Sequence, residues 1–237
     1  MAELQLGNII VDVEQKDIKH IHLSVYPPNG RVKIAAPSHL SLEMIRIYVI
    51  SKLSWIKKQQ KKVRNQKRDA PREYLNRESH YYKGKRYLLR IIEIDRPPRV
   101  DLKHGTIDLY VRPGSTLLQK QALLDEWYRT QLKTILPDMI TQWEKTLKVK
   151  VDEFRVKKMK TKWGTCTREA GRIWINLELA KKTVDCLEYI VVHEMMHLLE
   201  RRHNDKFIAY MDFYLPKWKF YKEMLNRLPV KHEDWNY

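Results

Sequence analysis

The stretch Val184–His203, VDCLEYIVVHEMMHLLERRH, decides how this chain is read. Leu187, Ile190, Val191, Glu194 and Leu198 recur at helical spacing, which predicts a helix from about Val184 to Leu199 with Thr183 as its cap. Inside it lies His193-Glu194-Met195-Met196-His197. Residues four apart sit one above the other on a helix face. Both imidazoles can therefore reach one Zn²⁺, and the adjacent Glu194 can take a proton from a water molecule at the ion. The competing reading, a surface helix with two solvated histidines, sits poorly with the apolar flanks.

A catalytic zinc site takes three protein ligands and keeps one position open. His203 follows His197 by six residues. On a straight helix it would lie about 9 Å further along the axis and face elsewhere. The helix must therefore stop between about Leu199 and Arg202 for His203 to fold back, and His203-Asn204-Asp205 supplies turn and capping residues there. The spacing equals that of the metzincin motif HExxHxxGxxH, but Glu200 stands where that motif needs glycine. Asp212 and Glu223 are the competing ligands; His203 is preferred for its short return path.

Outward from this stretch, one pattern recurs three times: two strands about a turn, then a helix. The first copy pairs His22–Tyr26 with Val32–Ala36 around Pro27-Pro28-Asn29-Gly30 and leads into a helix from about Leu42 to Val63, capped by Ser41. The second turns at Tyr82-Lys83-Gly84-Lys85 and again at Lys103-His104-Gly105, then enters a helix from Leu117 that Pro137 is expected to interrupt. The third pairs Val156–Lys162 with Arg172–Leu177 and precedes the histidine helix; further helices begin near Asn204 and Pro216. The fold class is α+β. Its segments are 1–70, 71–150 and 151–237, read together as one domain.

Lys plus Arg number 46 against 29 Asp plus Glu, a formal charge of +17 that draws anions, nucleic acid above all. The densest basic run, Lys57–Arg68, holds no acid, but it has no aromatic interleaving for base stacking and reads more readily as the solvated end of a helix. No run approaches the length of a membrane span, and the opening residues lack a signal peptide's pattern, so a cytoplasmic location is expected. Cys166 and Cys186 are too few for a disulfide framework or a thiolate zinc site and read as reduced core thiols. Trp163-Gly164 has two readings: an edge that pairs with an extended peptide, or a core Trp beside a bulge. Asn176 could bond the ligand-bearing loop or only its own strand end. Tyr210, Phe213, Tyr214, Trp218 and Tyr221 form an aromatic series read as core or groove wall.

The motifs Lys162-Trp163-Gly164-Thr165-Cys166, Gly171, Ile173, Asn176-Leu177, Val191-Val192-His193-Glu194, His197, His203 and Phe207 together resemble the YgjP-like metal-dependent hydrolases. Leu23-Ser24-Val25, Gly30-Arg31-Val32, Ala36-Pro37, Ser54-Trp55-Ile56 and Glu126-Trp127-Tyr128 extend the likeness over nearly the whole chain. Thr165 and Met195 depart mildly from the family's usual Ser and Leu. The resemblance implies a metallopeptidase with a zincin-like C-terminal portion, His193, His197 and His203 as ligands of one zinc ion, and Glu194 as base. It also implies kinship with SprT-like proteases, some of which act on DNA-crosslinked proteins. A peptide or protein is the expected substrate; Trp163 and Gly164 are candidate substrate contacts. Nickel or cobalt would suit the same imidazoles. Two rivals remain: a nucleic-acid-associated protease, and a zinc-binding module without catalysis.

Overall fold

Asn-Gly and Lys-Gly turns, alternating strands and well-capped helices recur along the chain, and each repeat builds a sheet of the same design. The computed structural model describes residues 2–26, 29–65, 72–159 and 162–227. Strands β1 (Ala2–Leu6), β2 (Ile9–Lys16), β3 (His22–Tyr26) and β4 (Arg31–Pro37) form a sheet in the order β1-β2-β4-β3. Strands β5 (Ser79–Tyr82), β6 (Lys85–Glu93), β7 (Arg99–Leu102) and β8 (Thr106–Val111) repeat that order as β5-β6-β8-β7. In both, two antiparallel hairpins lie side by side and their inner strands run parallel, Val11 opposite Val32 in one and Leu89 opposite Ile107 in the other. The third sheet, β9 (Glu153–Lys157), β10 (Gly164–Thr167) and β11 (Arg172–Asn176), is the same motif without its first strand.

This corrects the expected third hairpin. The stretch from Val156 runs parallel to β11, with Ile175 opposite Val156, and the antiparallel partner of β11 is β10, with Cys166 opposite Ile173. Lys160 and Thr161, expected within that strand, lie outside the described residues, as do Pro27, Pro28 and the end of the basic run from Gln66.

The helix after the first sheet is two: α1 (Leu42–Ser51) and α2 (Leu53–Asn65). The Ser51 hydroxyl donates to the Tyr48 carbonyl at 2.7 Å, and the Lys52 N–H turns to Val49 instead, which ends the first helix. Pro137, by contrast, does not interrupt α3 (Leu117–Leu147). Proline costs about 3 kcal/mol inside a helix. Leu136, Ile140, Trp143 and Leu147 are buried on either side of it, each worth roughly 1.5–3 kcal/mol, so continuing the helix wins. The remaining helices are α4 (Val184–Met196), α5 (Asp205–Tyr214) and α6 (Trp218–Arg227).

The chain divides into two compact units, the second being Arg72–Asn226. The first has its own core of Ile9, Val11, Val32, Ile34, Ile45, Val49 and Ile56. In the second, a continuous core runs from Tyr74 to Leu225, so the segments expected to meet at residue 150 share one interior. The β5–β6 hairpin is tied into it. Lys83 and Gly84 both have positive φ, as a two-residue hairpin turn requires, and their N–H groups donate to Ala180 and Lys181 just before α4. Trp143 on α3 donates to Glu188 on α4 at 2.9 Å. These links tie α4 and the turn before it to the second sheet and to α3. No described helix is long and apolar enough to cross a membrane.

Candidate metal centre

Thr183 caps α4, its hydroxyl accepting from the Cys186 N–H. The buried residues of α4 cover almost its whole circumference, so His193 and Glu194 are carried into the interior and not onto a wet surface. The helix ends at Met196, somewhat before Leu199, and a tight turn follows in which Leu198, Leu199 and Glu200 donate back to Met195 and Met196. Asn204 then caps α5 by accepting from the Phe207 N–H at 3.0 Å. This reversal brings His203 beside His193.

The three histidines each offer a ligand atom within 4.8 Å of the others. His193 and His203 face each other through Nε2 atoms 3.0 Å apart. His197 Nδ1 lies 3.1 Å from the Glu200 carbonyl; donating there leaves its Nε2 lone pair free. Burial, then the neighbouring His197 and His203, push His193 down to about 3, and burial lowers His203 as well. Neutral imidazoles are the ligand form. Two nitrogen lone pairs 3.0 Å apart repel unless a proton or a cation lies near both. Nitrogens on one tetrahedral zinc stand about 3.3 Å apart, given bonds of about 2.0–2.1 Å. The donor set therefore fits a divalent ion such as zinc.

Phe207, only 3% exposed, supports the cluster from α5. Its ring centroid is 5.1 Å from that of His193, 4.9 Å from His197 and 4.7 Å from His203. The competing carboxylate Asp212 is engaged elsewhere, accepting from Trp218 Nε1 at 2.7 Å and pairing with Lys219. Neither Asp212 nor Glu223 belongs to the cluster.

Glu194 is 6% exposed, and burial pushes its carboxyl up to about 8, against the pull of Lys162. Its side chain lies directly on Gly164. A Cβ added at Gly164 would come within 2.6 Å of Glu194 Cγ and Oε1. That is the reason for glycine here: Gly164 pairs with Ile175 in unbroken register, so there is no bulge. Trp163 is half-buried and lines, with Gly164, Tyr189, His193 and Glu194, a cavity of about 250 Å³. Strand β10 is an edge of its sheet.

Asn176 does more than end its strand. Buried at 4% exposure, it donates through Nδ2 to the carbonyls of Met159 and Lys162 and accepts at Oδ1 from Met159 and Glu178. It thereby fixes the approach to Trp163-Gly164, and not the loop that carries the histidines. Its signal in the sequence was an Asn immediately before an acidic 3₁₀ turn, a local cap that gives no hint of its distant partners. Cys186 is buried against Met224, and burial raises the thiols of both Cys166, to about 11, and Cys186; neither lies in the histidine cluster. Trp218 of the aromatic series is buried and stacks on Tyr189, whereas Phe213 is 75% exposed.

The profile of the YgjP-like, metallopeptidase domain family matches residues 19–228. Among curated proteins, none matches this chain. The solved structure described as the metallopeptidase zymogen of Pyrococcus abyssi abylysin is similar to 40% of this chain and 98% of its own, at 17% identity and a TM-score of 0.36.

Proposed function

Because the chain belongs to the YgjP-like metallopeptidase family, we propose that it is a zinc-dependent peptidase whose ion is held by His193, His197 and His203 and whose general base is Glu194. The HExxH helix and the edge-stranded third sheet would then form a zincin-like catalytic portion. The observation that carries the reading is the convergence of three imidazoles beside a buried carboxyl. A divalent ion bound there would supply Lewis-acid polarisation of the scissile carbonyl and activation of water near neutral pH.

The residues of the chain do the rest. Glu194 accepts the proton released as water attacks and returns it to the departing amide nitrogen. Its burial raises its affinity for that proton, while Lys162 favours its ionised form. Phe207 and the Glu200 carbonyl hold the rings of the histidines in position. Strand β10, ending an open sheet edge beside the cavity, offers backbone groups to an extended peptide, with Trp163 and Gly164 as contacts.

Glu194→Gln tests the assignment. The variant should bind zinc at one equivalent and lose about 10²–10⁴-fold in peptide hydrolysis. Full activity with zinc bound would refute the base role. A zinc-binding module without catalysis has no use for a buried, proton-avid carboxyl beside the histidines, and this disfavours that rival. The free thiols Cys166 and Cys186 accord with a reducing compartment such as the cytoplasm. A further reading adds nucleic acid as a docking partner, motivated by exposed Lys57, Lys58 and Lys61 on α2. Mobility-shift titrations across a salt series test it, and no shift at low salt would eliminate it.

A further inference from the structure

The cavity beside Glu194 has a composition that the hydrolytic chemistry does not require. Its walls include His193 and Glu194 but neither His197 nor His203. At about 250 Å³ it is smaller than a small-molecule site and suits one large side chain. Its deeper lining is apolar: Tyr189, Ile190 and Leu225 are 4%, 5% and 2% exposed, and half-buried Trp163 closes one side. The solvent side carries Lys162, from the segment entering β10, and Lys222, from α6.

These two ammonium groups come from elements far apart in sequence, yet both bear on the same place. Lys162 and Lys222 line one cavity together with Glu194 and His193. Among the described residues neither makes an ion pair, and Glu194 is the only acid in the cavity wall. Lys222 sits 5.4 Å above the Trp218 ring, which steadies it without neutralising it. A rim of two cations that make no ion pair, around an apolar floor, is complementary to an apolar group with a carboxylate next to it.

We propose that this cavity and its rim select peptides in which a large apolar residue stands next to Asp or Glu: the apolar side chain fills the cavity, and the acidic neighbour is met by Lys162 and Lys222. The proposal rests on the peptidase reading and adds a substrate class to it. The acid is a side chain and not a chain terminus. The formal charge of +17 rewards a substrate with several carboxylates, whereas a terminus offers only one.

The test uses peptides blocked at both ends, with Leu or Phe flanked by Glu, Gln or Lys. Hydrolysis is followed with the zinc-loaded protein, and binding with zinc-loaded Glu194→Gln. At low salt the Glu peptides should exceed the Lys peptides by at least about fivefold in kcat/KM, since each exposed pair contributes modestly. The difference should shrink in 0.5 M salt. Lys162→Met/Lys222→Met should abolish the preference, and Lys162→Glu/Lys222→Glu should reverse it. Equal cleavage of all three peptides, a preference that survives charge reversal, or cleavage only of peptides with a free C-terminus would overturn the proposal while leaving the peptidase reading intact. If no peptide is cleaved, binding decides: a Glu preference in Glu194→Gln upholds the selectivity and sinks the peptidase reading, and none sinks the selectivity.

Discussion

Replacing Gly164 by Ala probes the closest approach in the site. The added Cβ would lie 2.6 Å from Glu194 Cγ and Oε1 and 2.8 Å from Cδ. Carbon atoms pack best at about 3.5–4.0 Å, so the glutamate must move by about 1 Å. Glu194 is 6% exposed, so the room left for the shift is the cavity that it lines, away from its seat on Gly164. Overpacking of this kind costs about 1–3 kcal/mol in stability. A misplacement of about 1 Å at a reacting group costs on the order of 10²-fold in rate. The assay is urea denaturation together with zinc stoichiometry and kcat/KM on a peptide. Gly105→Ala is the control, because a Cβ there meets nothing within 4 Å and φ is not positive. Gly164→Ala should keep its zinc, since no histidine is touched, and lose about a hundredfold in kcat/KM. A variant within twofold of wild type would refute the claim that this glycine exists to seat Glu194.

Other perturbations follow from the same contacts. Asn176→Ala leaves the carbonyls of Met159 and Lys162 without their buried donor and should lower stability by about 2–4 kcal/mol, read as a fall in melting temperature. Phe207→Ala removes the ring shared by the three histidines; it should cost about 3–5 kcal/mol and weaken zinc binding measured by competition with a chelator. Chelation alone should abolish hydrolysis but leave the far-ultraviolet circular dichroism unchanged, because the core from Tyr74 to Leu225 does not depend on the ion; unfolding on chelation would contradict this. His80, 4% exposed, is held well below the ordinary histidine value by burial and then by Arg72, with Glu78 opposing. The unfolded chain therefore binds the proton better. Stability should be full above about pH 6.5 and fall as pH drops below it, and His80→Leu should flatten that dependence in thermal melts.

The histidine pair was legible in the sequence because its geometry is local. Four residues on a helix give one face, whatever the rest of the chain does. The same holds for the caps Ser41, Thr183 and Asn204, each of which accepts from an N–H three residues on. Hairpins were legible where a left-handed Gly marks the turn, as at Gly30 and Gly84. The break that returns His203 was inferred from what a straight helix could not do, and the turn after Met196 performs it.

The sequence by itself determined where most helices begin, where the glycine turns fall and the first two histidine positions, since those depend on hydrogen bonds and side-chain periods within a few residues. Only the tertiary structure decided the parallel pairing of β9 with β11, the survival of α3 through Pro137, the glutamate resting on Gly164, the clamp made by Asn176 and the meeting of Lys162 with Lys222. Each of these joins residues well separated in sequence, or weighs a local penalty against burial supplied by distant elements. No local pattern carries that information, because the partners come into range only when the core closes.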